Sequence, residues 1–132
     1  MDEHEVALIE ALRDAYEAFN RGDFDAVVSL AHPEVEYVRP GVEGSLKGAE
    51  AVRAWMEPDA FDTQKVEALD LEVNGNKVLI RQRTFARGAG SGIELDTESW
   101  AVLTLEQGLV TRAEVFLLDD EDQARRAARM AE

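Results

Sequence analysis

Four long segments that alternate polar and apolar residues make up the second half of the chain, and they limit the possible folds more than any other feature. They cover residues 64–73, 77–87, 93–105 and 109–118 and are separated by the glycine-containing stretches NGN, GAGSG and EQG. Alternation over such lengths is typical of β-strands, and short glycine turns join neighbouring strands of an antiparallel sheet. We therefore predict an antiparallel sheet in this half.

The first part of the chain is predicted to be mostly helical. Apolar residues recur at steps of three and four across residues 3–20, which predicts an amphipathic helix that ends at Gly22. Asp23 can cap a second helix, which Pro33 ends because a residue before proline avoids the helical region. His32 is expected to complete this helix by bonding its last carbonyl groups.

A short strand and two more helices complete the expected order. Residues 34–38, EVEYV, are typical of a strand, and a third helix is predicted over residues 48–56, stopped by Pro58. Asp120 with Gln123 resembles a capping box that begins a short final helix. Helices, a short strand and then long strands indicate an α+β fold.

The size and charge of the chain narrow its class. Its 132 residues suffice for one core, so we predict a single domain over residues 1–132. A net charge of −14 argues against nucleic-acid and membrane partners, because such a surface repels phosphate groups. The chain has no cysteine and two histidines, so we expect neither a metal nor a cofactor. Without a basic region near the N-terminus or a spanning apolar run, we expect a cytoplasmic protein.

Alternation assigns the side chains of the two central strands to opposite faces. Joining these strands through GAGSG sets Arg87 opposite Glu94 and Arg83 opposite Glu98, and such pairs each contribute about 0.2–1 kcal/mol. This charged face is either a solvated or dimer-facing side, or the wall of a polar pocket. In the first case the inner face carries Val78, Ile80, Gln82 and Thr84 against Leu95, Thr97, Ser99, Ala101 and Leu103.

Large apolar residues lie between the charges on this face. They are Leu79, Phe85, Trp100 and Val102. Apolar residues of this size on an otherwise solvated surface usually mark an interface. We therefore predict a homodimer in which the outer faces of two sheets pack together.

Three stretches carry a resemblance to a known family. YEAFNRGDFDAVVSLAHPEVEYV, GVEGSLKGAEAVRAWM and LEQGLVTRAEVFLLD, in this order, resemble the SnoaL-like branch of the nuclear transport factor 2-like superfamily. That superfamily also includes ketosteroid isomerases, limonene epoxide hydrolase and polyketide cyclases. The resemblance implies a curved antiparallel sheet that forms a cone packed around the N-terminal helices, with an apolar cavity open at one end.

The resemblance also implies a function. We expect a hydrophobic small molecule to bind in the cone cavity, where a cofactor-free cyclase, isomerase or hydrolase is one outcome. The alternative is a non-catalytic, dimeric binding or interaction module, since the same fold hosts domains without chemistry.

A ketosteroid isomerase mechanism does not fit the residues that the resemblance aligns with it. The isomerase base precedes the proline after the first strand, and here that position is Arg39, which stays protonated. The isomerase tyrosine aligns with Ala15, so that Tyr16 lies one helical step away. The neutral aspartic acid aligns near Ala101. We therefore expect that the chain is not a ketosteroid isomerase.

The cyclase and hydrolase branches need a carboxylate in the cavity to move a proton or position water. The candidates are Glu98, Asp96, Glu36 and Glu114, and Glu114 shares its strand with Arg112. A Glu–Arg pair at the cavity floor is one interpretation. A surface position for each acid is the other, since the chain has 28 acidic residues.

Arg39 and Tyr16 are the other catalytic candidates. Arg39 follows the first strand, which borders the cavity mouth in the family fold, and its five donors suit a carboxylate or enolate oxygen. An ion pair with Glu43 or Glu50 is the alternative for Arg39.

Aromatic residues on separate elements are predicted to converge on the cavity. With Arg39, the predicted ligand-binding residues are Tyr16, Phe19, Tyr37, Trp55, Trp100 and Phe116. Aromatic side chains line pockets for flat apolar ligands, but they also fill the core of any small protein. Trp55, near the end of the third helix, is the candidate for the cavity mouth.

Overall fold

The computed structural model describes residues 2–56, 61–88 and 90–129, with the backbone alone for residues 61–63. Its helices are α1 (Glu3–Asn20), α2 (Phe24–Val28), α3 (Ala49–Met56) and α4 (Glu121–Ala127). Its strands are β1 (Ala31–Val38), β2 (Ser45–Lys47), β3 (Phe61–Asn74), β4 (Lys77–Gly88), β5 (Glu94–Glu106) and β6 (Leu109–Leu117). The α+β class and all four long strands predicted from the sequence are confirmed.

The six strands form one curved, open sheet in the order β2-β1-β6-β5-β4-β3. Four of the five neighbouring pairs described are antiparallel, namely β1–β2, β3–β4, β4–β5 and β5–β6, and the last three join the long strands predicted from the sequence. The pair β1–β6 is parallel and is the one exception to the predicted antiparallel pairing among the described strands. A parallel pair needs a long connection, and here nearly the whole sheet lies between the two strands in sequence.

The register of the central hairpin agrees with the sequence prediction. Arg87 lies opposite Glu94 and Arg83 lies opposite Glu98. The ion pairs run diagonally, since Arg83 contacts Asp96 at 2.6 Å and Arg81 contacts Glu98 at 2.8 Å. These side chains are partly exposed, so each pair contributes about 1 kcal/mol at most.

The second helix is shorter than predicted. Asp23 caps it as expected, because its side chain accepts a hydrogen bond from the backbone N–H of Ala26 at 3.2 Å. The helix ends at Val28, before His32, because the chain pairs with β6 from Ala31 onward. The prediction that His32 ends the helix is therefore wrong. Its Nδ1 instead accepts a hydrogen bond from the N–H of Glu34.

The two later helices differ from prediction in their ends. Helix α4 forms without the predicted capping box, because Asp120 makes no side-chain cap hydrogen bond. A 3₁₀ turn over Leu118–Asp120 leads directly into α4, so Asp120 is not in the extended conformation that a capping residue normally adopts. Pro58, the predicted stop of α3, lies outside the described residues. Strand β2 was not predicted, since three residues carry too little pattern.

Helix α4 covers part of the outer face of the sheet. Leu79, Trp100 and Val102 are 1%, 6% and 3% exposed, and they pack beneath Ala124 and Ala128. We call these five residues the outer cluster. Most of the apolar surface that motivated the homodimer is therefore occupied by the chain's own helix, and the homodimer stays a prediction.

Candidate functional site

A pocket of about 270 Å³ lies between the inner face of the sheet and helices α1, α2 and α3. Most of its lining is apolar and comes from all three helices and from five strands. Its polar lining residues are Tyr16, Tyr37, Gln64, Gln82 and Thr84. We call this space the inner pocket. Gln82 and Thr84 lie on the face that the alternation assigned to the inside of the sheet.

Small side chains are part of the lining of the inner pocket. Ala15 on α1, Ala101 on β5 and Ala113 on β6 line it where larger side chains would fill it. Protein interiors are close-packed, so an open volume of this size is an exception that calls for an explanation. The pocket has the concave and mostly apolar character of a small-molecule site.

A chain of hydrogen bonds crosses the pocket wall. The Tyr16 hydroxyl donates to Gln82 Oε1 at 2.7 Å, and Gln82 Nε2 donates to Ser99 Oγ at 3.1 Å. Burial, with a smaller effect of nearby Tyr37, raises the pKa of Tyr16 far above its usual range. Tyr16 is therefore a neutral hydrogen-bonding group at every physiological pH.

Tyr37 and Trp55 line one edge of the pocket, and Arg39 packs on Trp55 beside it; we call the edge at these three residues the mouth. The rings of Tyr37 and Trp55 lie 5.1 Å apart between centroids at 48°, and the Arg39 guanidinium lies 5.5 Å from the Trp55 centroid. Trp55 is 44% exposed although it lines the pocket. Burial raises the pKa of Tyr37, and the positive charge of Arg39 acts in the opposite direction.

The structure divides the predicted ligand-binding aromatics into two groups. Four of them line the inner pocket, namely Tyr16, Phe19, Tyr37 and Trp55. Trp100 belongs to the outer cluster and Phe116 packs against it, so their predicted position at the cavity is wrong. The physical reason is strand alternation, since Ala101 next to Trp100 and Val115 next to Phe116 already point into the pocket.

Two of the candidate catalytic carboxylates belong to the charged outer face. Glu98 pairs with Arg81, and Asp96 binds Arg83 through two hydrogen bonds at 2.8 Å and 2.6 Å. This pairing lowers the pKa of Asp96, because the ionised carboxylate accepts both bonds. Neither acid is among the pocket-lining residues.

The other two carboxylates meet on β1 and β6. Arg112 pairs with Glu36 and lies 3.5 Å from Glu114. The Glu–Arg arrangement thus exists, but its place at the cavity floor is wrong, because these residues alternate with Tyr37, Ala113 and Val115, which line the pocket. Among the described residues, no carboxylate lines the inner pocket.

The family is decided by a match that spans most of the chain. The family model of the SnoaL-like domain matches residues 12–113. The chain belongs to the SnoaL-like domain family. No curated protein matches its sequence.

Solved structures share the fold of this SnoaL-like domain. TerC co-crystallised with polyporic acid is 20% identical, with a TM-score of 0.72 over 88% of this chain and 95% of that chain. An NTF2-like protein of unknown function from Burkholderia pseudomallei K96243 is 19% identical, with a TM-score of 0.74 over 92% and 96%. SalBIII, described as an epoxide hydrolase/cyclase-like enzyme of pyran ring formation in salinomycin, is 19% identical, with a TM-score of 0.74 over 85% and 91%. At these identities the likeness shows the fold alone.

Neither a cluster of metal ligands nor a membrane-spanning helix occurs in the described part of this SnoaL-like domain. In these residues no group of three histidine or acidic side chains is placed to hold a metal ion. No helix there is long and apolar enough to cross a membrane. The inner pocket is the candidate site that these residues offer.

The polar part of the pocket wall was not singled out from the sequence. Strand alternation places Gln82, Thr84 and Ser99 on the inner face but predicts no role for them. The sequence does carry a signal for a polar pocket wall, because polar residues interrupt a face that otherwise carries the apolar residues Val78 and Ile80. A buried polar side chain needs a partner, so such interruptions mark either a hydrogen-bond network or a binding site.

The two tyrosines predict how the stability of this SnoaL-like domain depends on pH. The chain has no other tyrosine, and burial raises the pKa of both Tyr16 and Tyr37. Above about pH 10 the unfolded chain loses tyrosine protons that the folded chain keeps. The free energy of unfolding should therefore be unaffected by these groups below that pH and fall above it.

Urea unfolding at a series of alkaline pH values, with the near-ultraviolet absorbance of tyrosinate recorded in parallel, measures this effect. We expect Tyr16→Phe to make the decline less steep. Tyrosinate absorbance that reached half of its full value near pH 10 in the still-folded protein would contradict the prediction.

Proposed function

We propose that this SnoaL-like protein binds a hydrophobic small molecule in the inner pocket without catalysing a reaction on it. One observation carries the proposal. The described lining is apolar apart from five neutral polar side chains, and it includes no acidic, histidine, lysine or arginine residue. Transfer of an apolar ligand from water into such a pocket is favourable, because the ligand has little polar surface to desolvate and its apolar surface becomes buried.

The same lining argues against acid–base chemistry, which the family resemblance implied as one outcome. General acid–base catalysis needs a group that gains and loses a proton near neutral pH. Tyr16 has a pKa far above that range, so it can orient a ligand but cannot abstract a proton. Among the pocket-lining residues that the structure describes, none offers a better base.

The hydrogen-bond chain supports recognition of one neutral polar group on the ligand. In the arrangement described, the Tyr16 hydroxyl donates to Gln82, so its oxygen is left to accept a hydrogen bond. Rotation of the Gln82 amide by half a turn would reverse the chain and free the Tyr16 proton for a carbonyl oxygen. A hydroxyl or a carbonyl on the ligand therefore fits this wall. The co-crystallisation of TerC, which shares the fold, with polyporic acid agrees with small-molecule binding.

A fluorescence titration with N-phenyl-1-naphthylamine, a neutral apolar probe, tests the proposal. We expect a saturable enhancement that fits one site per chain, because the described pocket has room for one such molecule. The control is the same titration in urea at a concentration that unfolds the chain, where the enhancement should disappear. A folded protein that shows no saturable enhancement would contradict the proposal.

A further inference from the structure

Arg39 lies at the mouth of the inner pocket without lining it. It follows β1 by one residue, and its side chain is half-buried with the guanidinium over the ring of Trp55 at 5.5 Å. Trp55 and Tyr37 both line the pocket, so Arg39 is in contact with its lining. The charge of Arg39 also acts on the Tyr37 hydroxyl, where it opposes the effect of burial on the pKa.

No described carboxylate pairs with Arg39. The ion pair with Glu43 or Glu50, one of the two alternatives considered from the sequence, does not form between these described residues. Three arginines of the outer face behave differently, since Arg81, Arg83 and Arg112 each pair with an acid. Among the residues that the structure describes, Arg39 is therefore a positive charge without an acidic partner, in a chain of net charge −14.

One donor of Arg39 is buried without an acceptor. Its Nε is shielded from solvent and makes no hydrogen bond in the described structure. A buried donor that lacks a partner is unfavourable, and each such group in a folded protein calls for an explanation, such as a ligand that is not present. The guanidinium has four further N–H donors on its two Nη atoms.

We propose that Arg39 binds the anionic group of an amphipathic ligand whose apolar body occupies the inner pocket. The inference rests on the proposed function and adds the chemical class of the ligand, a hydrophobic molecule with an oxyanion such as a carboxylate at one end. The planar fork of a guanidinium matches two oxygens of such a group. The end of a bound ligand that extends out of the pocket past Trp55 and Tyr37 would contact the guanidinium of Arg39.

Two fluorescent probes with the same ring system test the inference. They are 8-anilinonaphthalene-1-sulfonate, which carries an anionic group, and N-phenyl-1-naphthylamine, which does not. We expect Arg39→Gln to raise the Kd of the sulfonate probe about 10- to 100-fold, as loss of a charge-assisted hydrogen bond does. The Kd of the neutral probe should change about twofold or less, because that probe has no anionic group for Arg39 to bind.

Two further variants serve as controls. Arg83→Gln removes the same charge from the outer face and should leave the binding of both probes within about twofold. Arg39→Lys keeps the charge but loses the fork, so its Kd for the sulfonate probe should lie between those of the wild type and Arg39→Gln. Urea unfolding of each variant reports whether it is folded.

The outcomes separate this inference from the proposed function. If the neutral probe binds and Arg39→Gln leaves sulfonate binding unchanged, the Arg39 inference is overturned while the proposed function stands. An equal loss of affinity for both probes in Arg39→Gln would also overturn it, because Arg39 would then have a structural role. The same holds if Arg83→Gln weakens sulfonate binding as much as Arg39→Gln does, because the effect of the charge would then be long-range. If the wild type binds neither probe, both proposals fail.

Discussion

Replacing Trp100 by alanine is expected to lower the free energy of unfolding by about 3–5 kcal/mol. Trp100 is 6% exposed and is the largest member of the outer cluster, between β5 and helix α4. The helix contributes Ala124 and its C-cap residue is Ala128, and these small side chains cannot fill the space that an indole would leave. The variant therefore loses the burial of the ring and keeps a cavity.

Polar contacts of the indole add to this effect. Trp100 Nε1 donates a hydrogen bond to the carbonyl oxygen of Leu118 at 3.1 Å. The guanidinium groups of Arg81 and Arg125 each lie 5.8 Å from the ring centroid. Such cation–π contacts contribute about 0.5–1 kcal/mol each at exposed sites. Arg125 also pairs with Glu72 at 3.2 Å, so the indole and this ion pair hold α4 to the sheet together.

Trp55 provides a matched control, because it is the only other tryptophan of the chain. It is 44% exposed at the mouth of the inner pocket, so Trp55→Ala removes the same side chain from a site where it is much less buried than Trp100. We expect a loss of about 1 kcal/mol. Urea unfolding followed by far-ultraviolet circular dichroism measures both variants without relying on tryptophan fluorescence. Equal losses for the two variants would show that α4 is not held by the outer cluster.

Local pattern explains what the sequence predicted of the fold. The long strands and the register that sets Arg87 opposite Glu94 follow from alternation and from a glycine turn between neighbouring segments. The same pattern put Gln82 and Thr84 on the inner face. These features depend on residues that are close in sequence, so a single amino-acid sequence is enough to predict them.

Long-range packing explains what the sequence did not predict. Trp100 and Phe116 were expected at the cavity because aromatics on separate strands converge in a cone. Their true partner is α4, and nothing in its short Ala/Arg-rich sequence specifies where it docks. Asn74, which is 54 residues before Ala128, helps to fix that position by donating hydrogen bonds to the carbonyl oxygens of Ala128 and Arg129.

The sequence predicted only part of the candidate site, because the rest of the site depends on long-range packing. Tyr16 and Tyr37 were named from their types and positions, and both line the inner pocket. The absence of carboxylates from the described lining depends on which face each strand turns inward, and a single residue of slip would have exchanged the faces. The partner of Arg39 depends on a contact with α3 that no local pattern specifies.

Filling the inner pocket is expected to change ligand binding and stability in opposite directions. Ala113 lies on β6 and lines the pocket, so Ala113→Phe places a ring in the space that a ligand would occupy. We expect the Kd of N-phenyl-1-naphthylamine to rise at least about 100-fold, which corresponds to about 2.7 kcal/mol. Titration of the folded variant measures this, and Ala7→Phe on the exposed face of α1 is the control for added bulk.

The sign of the stability change shows whether the pocket is open space or packed core. Burial of a phenylalanine ring in existing apolar space contributes about 1.5–3 kcal/mol, so part of this gain should remain after the ring is ordered. In a core that is already filled, the same substitution would be destabilising by about 1–3 kcal/mol through strain. A variant that is more stable than the wild type in urea and no longer binds the probe supports an open ligand pocket. A variant that is less stable and binds the probe unchanged would mean that the probe binds elsewhere and that the space around Ala113 is packed.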